Sequence, residues 1–317
     1  MKAIRVFAPG SADALTVSDM ALPSPAQGQI RVKVSLAGVN FIDVYHRRGQ
    51  YALAMPPSIG TGIGIEGIGE LAQGQKVFWL SALGSYAQEV NVSETQLTPL
   101  PHTTLTNEEI LPLLCQGMTA HYLVHSAYHV NAGEWVLVTA AAGGVGLLLT
   151  QLLKNRGANV IALSSTAERA QIAKEHGADV VGIYDQMSTL VSTATNGAGV
   201  NIVFDSIGKD YFDNCLDSLA PSGMYLLYGG ASGPVPPFDL MRLNAKSLAI
   251  RRPTLATYTS TEIERLDRLS DLLSLAEGGK LRYPATKVFP LSEAQRAHEL
   301  LESRRYSGKI GLDPWRI

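Results

Sequence analysis

The segment Ala141-Ala-Gly143-Gly144-Val145-Gly146 has the residue types and the spacing to hold a pyrophosphate. The apolar run Trp135-Val-Leu-Val-Thr-Ala140 leads into it, and a helical pattern over residues 145–156 leads out. In a strand–turn–helix unit of this kind, the second glycine lets the backbone approach the phosphates and the third lets helix and strand pack closely. Gly143 and Gly146 stand at those positions, with alanine at the first. The N–H groups at the start of the helix then face the negative charge. A second set of residues selects the nucleotide. Chains that hold a free ribose hydroxyl place Asp or Glu at the end of the next strand. This chain has Leu163-Ser164-Ser165-Thr166 there, with no acid, and Arg169 just beyond. Hydroxyls and a guanidinium suit a 2′-phosphate, so these residues point to NADPH. The alternative for Arg169, next to Glu168, is a solvated helix residue; phosphate contact is the preferred reading.

Both sets need a sheet to stand on, and the middle of the chain supplies one. Strand-like runs at residues 135–140, 159–163, 179–184, 200–204 and 223–228, with a sixth candidate at 247–251, alternate with helical stretches such as 167–176. That alternation means a parallel sheet covered by helices on both faces. Residues 1–101 read differently: short strands such as Gln29-Ile-Arg-Val-Lys-Val-Ser35 and Gln75-Lys-Val-Phe-Trp-Leu80, punctuated by Gly and Pro, predict a β-rich domain. A helical connector is expected over 107–127. From about residue 281 the chain returns to short strands and one helix (292–304), expected to rejoin the first domain. The α/β domain is then an insertion: residues 116–260 within a domain formed by 1–115 and 261–317.

Composition removes several classes. The 317 residues are 46% hydrophobic and 17% charged, enough for two domains with their own cores. A net charge of −2 with no run of one sign argues against a nucleic-acid footprint. No apolar stretch approaches the ~20 residues of a membrane span. The first residues read as a strand rather than a signal peptide. Cys115 and Cys215 are too few and too separated for a disulfide framework. The expectation is a cytoplasmic enzyme.

Five segments, in order along nearly the whole chain, carry a resemblance: Gly38-Val-Asn40-Phe-Ile-Asp43-Val-Tyr45, Gln116-Gly-Met-Thr119-Ala120, Ala140-Ala-Ala-Gly-Gly-Val-Gly146, Phe204-Asp-Ser-Ile-Gly208 and Ala294-Gln-Arg-Ala-His298-Glu-Leu-Leu-Glu-Ser-Arg304. The chain resembles the quinone oxidoreductase (ζ-crystallin-like) branch of the zinc-free medium-chain dehydrogenases/reductases. The resemblance implies an α/β protein, with a GroES-like β-rich catalytic domain plus a Rossmann domain, and a homodimer. It places Asn40 and Tyr45 on the nicotinamide side, with Thr119 near the ring. It places Gly144 and Val145 on the pyrophosphate, and Ser165, Thr166 and Arg169 at the 2′-phosphate. Tyr184 goes to the adenosine end, while Tyr228, Gly229 and Arg304 close over the cofactor. One departure is the shortened segment 59–76, where Glu66-Gly-Ile-Gly-Glu70 runs almost directly into Gln75-Lys76.

Zinc dehydrogenases of the same superfamily need Cys, His and a second Cys or Asp on the metal. Here Asn40 has the first place, the Gly-His-Glu motif reads Gly64-Ile65-Glu66, and only Cys115 resembles a ligand. One thiolate cannot hold a zinc that needs three protein ligands, so no metal is expected. Glu66 reads as a buried hydrogen-bonded carboxylate and Cys115 as a small core residue. Tyr45 and Asn40 are then the candidates to hold the oxygen that gains charge as hydride arrives. Tyr45 also reads as a half-buried aromatic, and Tyr51 could line the same pocket. His46, Arg47 and Arg48 read at least as well as a solvated loop. The expected reaction is reduction of a quinone by NADPH, the last proton coming from solvent. A reductase of enals, enones or enoyl thioesters, and a non-catalytic NADPH-binding protein, remain open alternatives.

Overall fold

Apolar runs in the middle of the chain become the strands of a parallel sheet, and the central ones are buried on both faces, as a covered sheet requires. In a computed structural model, which describes residues 1–50 and 62–316, the strands are Trp135–Val138, Asn159–Ser164, Val180–Ile183, Val200–Asp205, Leu219–Leu227 and Ala249–Arg251. All pairings among them are parallel, and the spatial order is third, second, first, fourth, fifth, sixth. The order reverses between the first strand and the fourth. At such a reversal the connections leave in opposite directions, and a crevice opens at the carboxyl ends of the strands. The helix Gly144–Asn155 covers this sheet with Leu147, Leu148, Leu149, Leu152 and Leu153, all buried. Leu137, Ile161, Val203 and Tyr225 form a core with Val191, Phe212 and Leu216. These elements belong to one compact unit, residues 119–258 and 278–282.

Residues 1–118, 259–277 and 283–317 form the other unit. Its main sheet runs Lys287–Pro290, Ile310–Asp313, Gln29–Val39, Glu66–Glu70, Lys76–Trp79 and Thr98–Pro99, with Glu89–Ser93 also paired to Gln29–Val39. The strand Gln29–Val39 is longer than its alternating pattern predicts. Alternation stops after Ser35, yet Leu36, Ala37, Gly38 and Val39 stay in the strand because both their faces are buried. The shortened segment, described from Gly62 onward, contains a tight hairpin: Leu71 N–H bonds to the Gln75 carbonyl (2.9 Å) and Gly74 N–H to that of Leu71 (2.9 Å). Tyr51 lies outside the described residues. No helix among the described residues is long and apolar enough to cross a membrane.

Candidate active site

Around the glycine turn, backbone geometry carries the design. Gly143 caps the helix Gly144–Asn155, whose first N–H groups have no acceptor within the helix. A Cβ on Gly146 would lie 2.4 Å from the Ala140 carbonyl oxygen and 2.7 Å from Ala141 Cα. Only glycine therefore lets the helix start this close to the strand. Ala140 itself is left-handed, with φ 48°. Its N–H donates to the Tyr184 hydroxyl (3.0 Å), and its carbonyl accepts from Gly143 N–H (2.8 Å). Tyr184 stacks on Tyr211 with ring centroids 4.3 Å apart, and burial pushes its phenol up to about 12. The hydroxyl thus serves as a neutral acceptor that pins the turn.

The next strand ends at buried Ser164, and Ser165 and Thr166 emerge exposed. Thr166 caps the helix Ala167–Glu175: its hydroxyl oxygen accepts from Arg169 N–H (3.3 Å). A backbone N–H and, after it, the same hydroxyl hold the exposed Glu168 carboxylate below its usual range. Arg169 is half-buried and donates to the Ala142 carbonyl (2.9 Å), so it reaches back to the glycine turn instead of decorating the helix.

Across the reversal point, Asp205 ends the fourth strand fully buried. Its carboxylate accepts from the Thr139 hydroxyl (2.5 Å), the Tyr225 hydroxyl (2.6 Å) and the N–H groups of Ile207 and Gly208 (2.9 Å each). The Tyr228 N–H donates to the Asp205 carbonyl (2.8 Å), which fixes where Tyr228 and Gly229 leave the fifth strand. The sequence showed Asp205 only as part of a motif. Its signal is an acid directly after the apolar run Val200-Asn-Ile-Val-Phe204. Thr119, half-buried, lies in the helix Cys115–Tyr122.

In the other unit, charge carries the design. Asn40 follows the long strand and stands at the N-cap of the seven-residue helix Phe41–Arg47. Its Nδ2 donates to Glu66 Oε2 (2.8 Å), and its Oδ1 accepts from Lys309 Nζ (2.9 Å). Lys309 also donates to Glu66 Oε2 (2.5 Å), and Glu66 Oε1 accepts from Cys115 N–H (2.6 Å). Glu66 and Lys309 are both 0% exposed. A Cβ on Gly38 would sit 1.9 Å from Glu66 Oε2, so the glycine makes room for this carboxylate. Glu66 is thus the buried, hydrogen-bonded acid the sequence suggested. Cys115 is only half-buried as a residue, and burial of its thiol together with the Glu66 charge pushes it up to about 12. Lys309 was missed in the sequence. Its only signal was indirect, since a buried Glu66 demands a cation somewhere.

The expectation of a solvated loop at His46, Arg47 and Arg48 is overturned for the first two. His46 and Arg47 lie on the helix, 3% and 1% exposed. Arg47 is stabilised inside because every face finds an acceptor: the Gly10 carbonyl (3.1 Å), His298 Nδ1 (3.0 Å) and both Glu302 oxygens (3.0 and 2.8 Å). Arginine only donates, so His298 carries its proton on Nε2 and gives it to the Tyr86 hydroxyl (3.1 Å). Tyr86 donates onward to Asp43 Oδ2 (3.0 Å), which also accepts from Asn40 N–H (2.8 Å). Burial raises Asp43 to about 7; burial and the neighbouring Arg47 lower His298 to about 3. The chain of donors Arg47, His298, Tyr86 ends on the helix that carries Tyr45, itself half-buried. Arg304 lies exposed and left-handed (φ 56°) at the end of the helix Ala294–Ser303, which supplies His298 and Glu302.

A family model described as zinc-binding dehydrogenase matches residues 144–273, a stretch that contains neither Asn40, Glu66 nor Lys309. A quinone oxidoreductase of Pseudomonas aeruginosa is 35% identical, with 99% of both chains covered. A 2-haloacrylate reductase of a Burkholderia species is 34% identical, with 96% of both chains covered. The structure of the Escherichia coli quinone oxidoreductase complexed with NADPH is similar at a TM-score of 0.93, with 33% identity over 99% of this chain and 100% of that one.

Proposed function

Because the chain belongs to the quinone oxidoreductase branch of the medium-chain dehydrogenases/reductases, we propose that it reduces quinones with NADPH and without zinc. The observation that carries the cofactor choice is Arg169, a guanidinium anchored on the Ala142 carbonyl beside exposed hydroxyls, with no acid ending the strand Asn159–Ser164. The turn fits a dinucleotide because Gly146 lets the helix start close against the strand, and the N–H groups of its first turn have no acceptor within the helix. Gly144 and Val145 would hold the pyrophosphate, with Gly143 allowing the approach. Ser165 and Arg169 would carry most of the 2′-phosphate contact, since Glu168 already engages Thr166. Tyr184, Tyr228, Gly229, Thr119 and Arg304 keep the family's cofactor-lining roles in this reading.

Bound NADPH supplies the hydride. The chain's task is to hold the acceptor and answer the charge that develops on its oxygen. Asn40 offers an amide N–H and Tyr45 a phenol, both uncharged donors at neutral pH. The residues at the zinc-ligand places do not fit the metal. Asn40 is engaged by the Lys309 ammonium and Glu66, Ile65 offers no ligand atom, and the Cys115 thiol stays protonated at neutral pH. A second copy would add to the open edge strand Ala249–Arg251, near which Leu240 and Met241 are 70% and 66% exposed. The relative named for 2-haloacrylate favours a second reading, reduction of a carbon–carbon double bond conjugated to a carbonyl.

A panel of 1,4-benzoquinone, 1,2-naphthoquinone, 2-alkenals, crotonyl thioester and 2-haloacrylate with NADPH separates these readings. Fastest turnover on quinones, undiminished after dialysis against a chelator, is expected. Arg169→Ala should weaken NADPH roughly ten- to hundredfold and barely affect NADH, as loss of a charged hydrogen bond would. An unchanged NADPH/NADH ratio in that variant, or activity restored only by zinc, would overturn the corresponding part.

A further inference from the structure

Lys309 spends a buried charge where stability gives little reason for one. Replacing a buried ion pair by apolar residues of similar volume is often neutral or stabilising. A chain that keeps Lys309 and Glu66 at 0% exposure therefore gains something else from the pair. The hydrogen bonds show what it constrains. Lysine has only donors and an ionised carboxylate only acceptors. Asn40, bonded to both, must turn Oδ1 to Lys309 and Nδ2 to Glu66. A flipped amide would face oxygen to oxygen and N–H to N–H, losing two charge-assisted bonds. The ammonium thus locks the amide with its oxygen engaged, and among the described residues Glu66 is the one acceptor that its Nδ2 meets. Cys115 N–H and the Gly38 cradle lock Glu66 in turn.

We infer that Lys309 is a positioning residue, a built-in cation at the place where zinc dehydrogenases of the superfamily bind metal, which fixes Asn40 as an N–H donor toward cofactor or acceptor. The inference rests on the reading of Asn40 as a contact at the reacting end. Unlike zinc, the ammonium has no open coordination position. It acts through Asn40 alone, and the site is left with a neutral donor.

The test uses the full-length protein in two forms. Lys309→Ala removes the chain beyond Cβ, which n-propylammonium matches in length and charge and n-propanol in length only. The double variant Lys309→Met/Glu66→Gln removes both charges, so it folds without an unpaired ion. On the best quinone acceptor, kcat should fall about ten- to hundredfold in both, with KM for NADPH within about threefold of wild type. Saturating n-propylammonium should restore much of kcat in Lys309→Ala and raise its Tm, and n-propanol should do neither. Wild-type kcat in the double variant would reduce the pair to a structural element and overturn the inference, as would rescue by n-propanol. Where Lys309→Ala fails to fold, the double variant decides alone. If the wild type reduces no acceptor, the functional reading fails instead, and the Tm response to n-propylammonium still reports whether the site selects a cation.

Discussion

Asp205 in one unit and Glu66 in the other are both fully buried carboxylates at the candidate site, and the two are satisfied in opposite ways. Asp205 is met only by neutral dipoles: two hydroxyls and two backbone N–H groups. Glu66 is met by an ammonium, an amide and one backbone N–H. Neutral donors spread over residues 139, 207, 208 and 225 make Asp205 a loop builder, and its loss frees several segments at once. A single charge partner makes Glu66 half of a pair, and a pair can be removed together.

That contrast sets the largest expected effect. Asp205→Ala leaves buried donors without an acceptor and should lower stability by about 4 kcal/mol in urea unfolding. Glu66→Gln, which strands the Lys309 ammonium, should cost about 3–5 kcal/mol. The two differ in repair. Adding Lys309→Met to Glu66→Gln should recover most of the stability, whereas Tyr225→Phe added to Asp205→Ala should recover little. Equal recovery in both would erase the distinction between a loop builder and an ion pair.

The same contrast explains what was legible in the sequence. Features of the dinucleotide-binding unit are local: Thr166 bonds to a residue three positions on, and the glycine turn lies within one strand–turn–helix unit. Spacing therefore reveals them. The charged network of the other unit joins Asn40 to Lys309 across 269 residues and Arg47 to His298 across 251. No periodicity links such positions, so Arg47 looked like a solvated arginine and nothing singled out Lys309. His298 and Glu302 stood inside a recognised motif, yet the motif did not say that they hold Arg47. Only the chain's return to the first unit brings them together.

A smaller effect comes from pH, within the charged network alone. Asp43, raised to about 7, keeps a proton in the folded state that the unfolded chain releases near its ordinary value of 3.8. Its contribution therefore falls as pH rises through that window. His298, lowered to about 3 from 6.5, stays neutral where the unfolded chain binds a proton. Its contribution falls as pH drops. Between about pH 4 and 6.5 the two slopes oppose each other, with Lys309, Glu66, Tyr86 and Arg47 as the fixed surroundings of Asp43. Wild-type stability should then be nearly flat there. Asp43→Asn removes one slope and should lose up to about 1.4 kcal/mol per pH unit on acidification relative to wild type. Parallel pH–stability curves for the two proteins would show that the groups do not titrate as a buried pair.

The smallest effect tests whether the backbone-built site stores strain. Ala140 holds φ 48° in the glycine turn, a conformation that costs an alanine roughly 1–2 kcal/mol and a glycine almost nothing. It is held there by the Tyr184 hydroxyl on its N–H and by Gly143 on its carbonyl. Ala140→Gly keeps both bonds, since both use the backbone. It relieves the strain but adds freedom to the unfolded chain, worth about 0.5–1 kcal/mol in the opposite direction. The net should lie between about zero and a gain of about 1.5 kcal/mol, seen as an equal or higher urea midpoint at unchanged m. If the alanine matters because it denies the turn other conformations, NADPH should bind the variant a few-fold more weakly even though the protein is no less stable. A stability gain with unchanged NADPH affinity would mean that the two backbone bonds alone hold the turn. A stability loss would mean that the methyl group packs well enough to outweigh its strain.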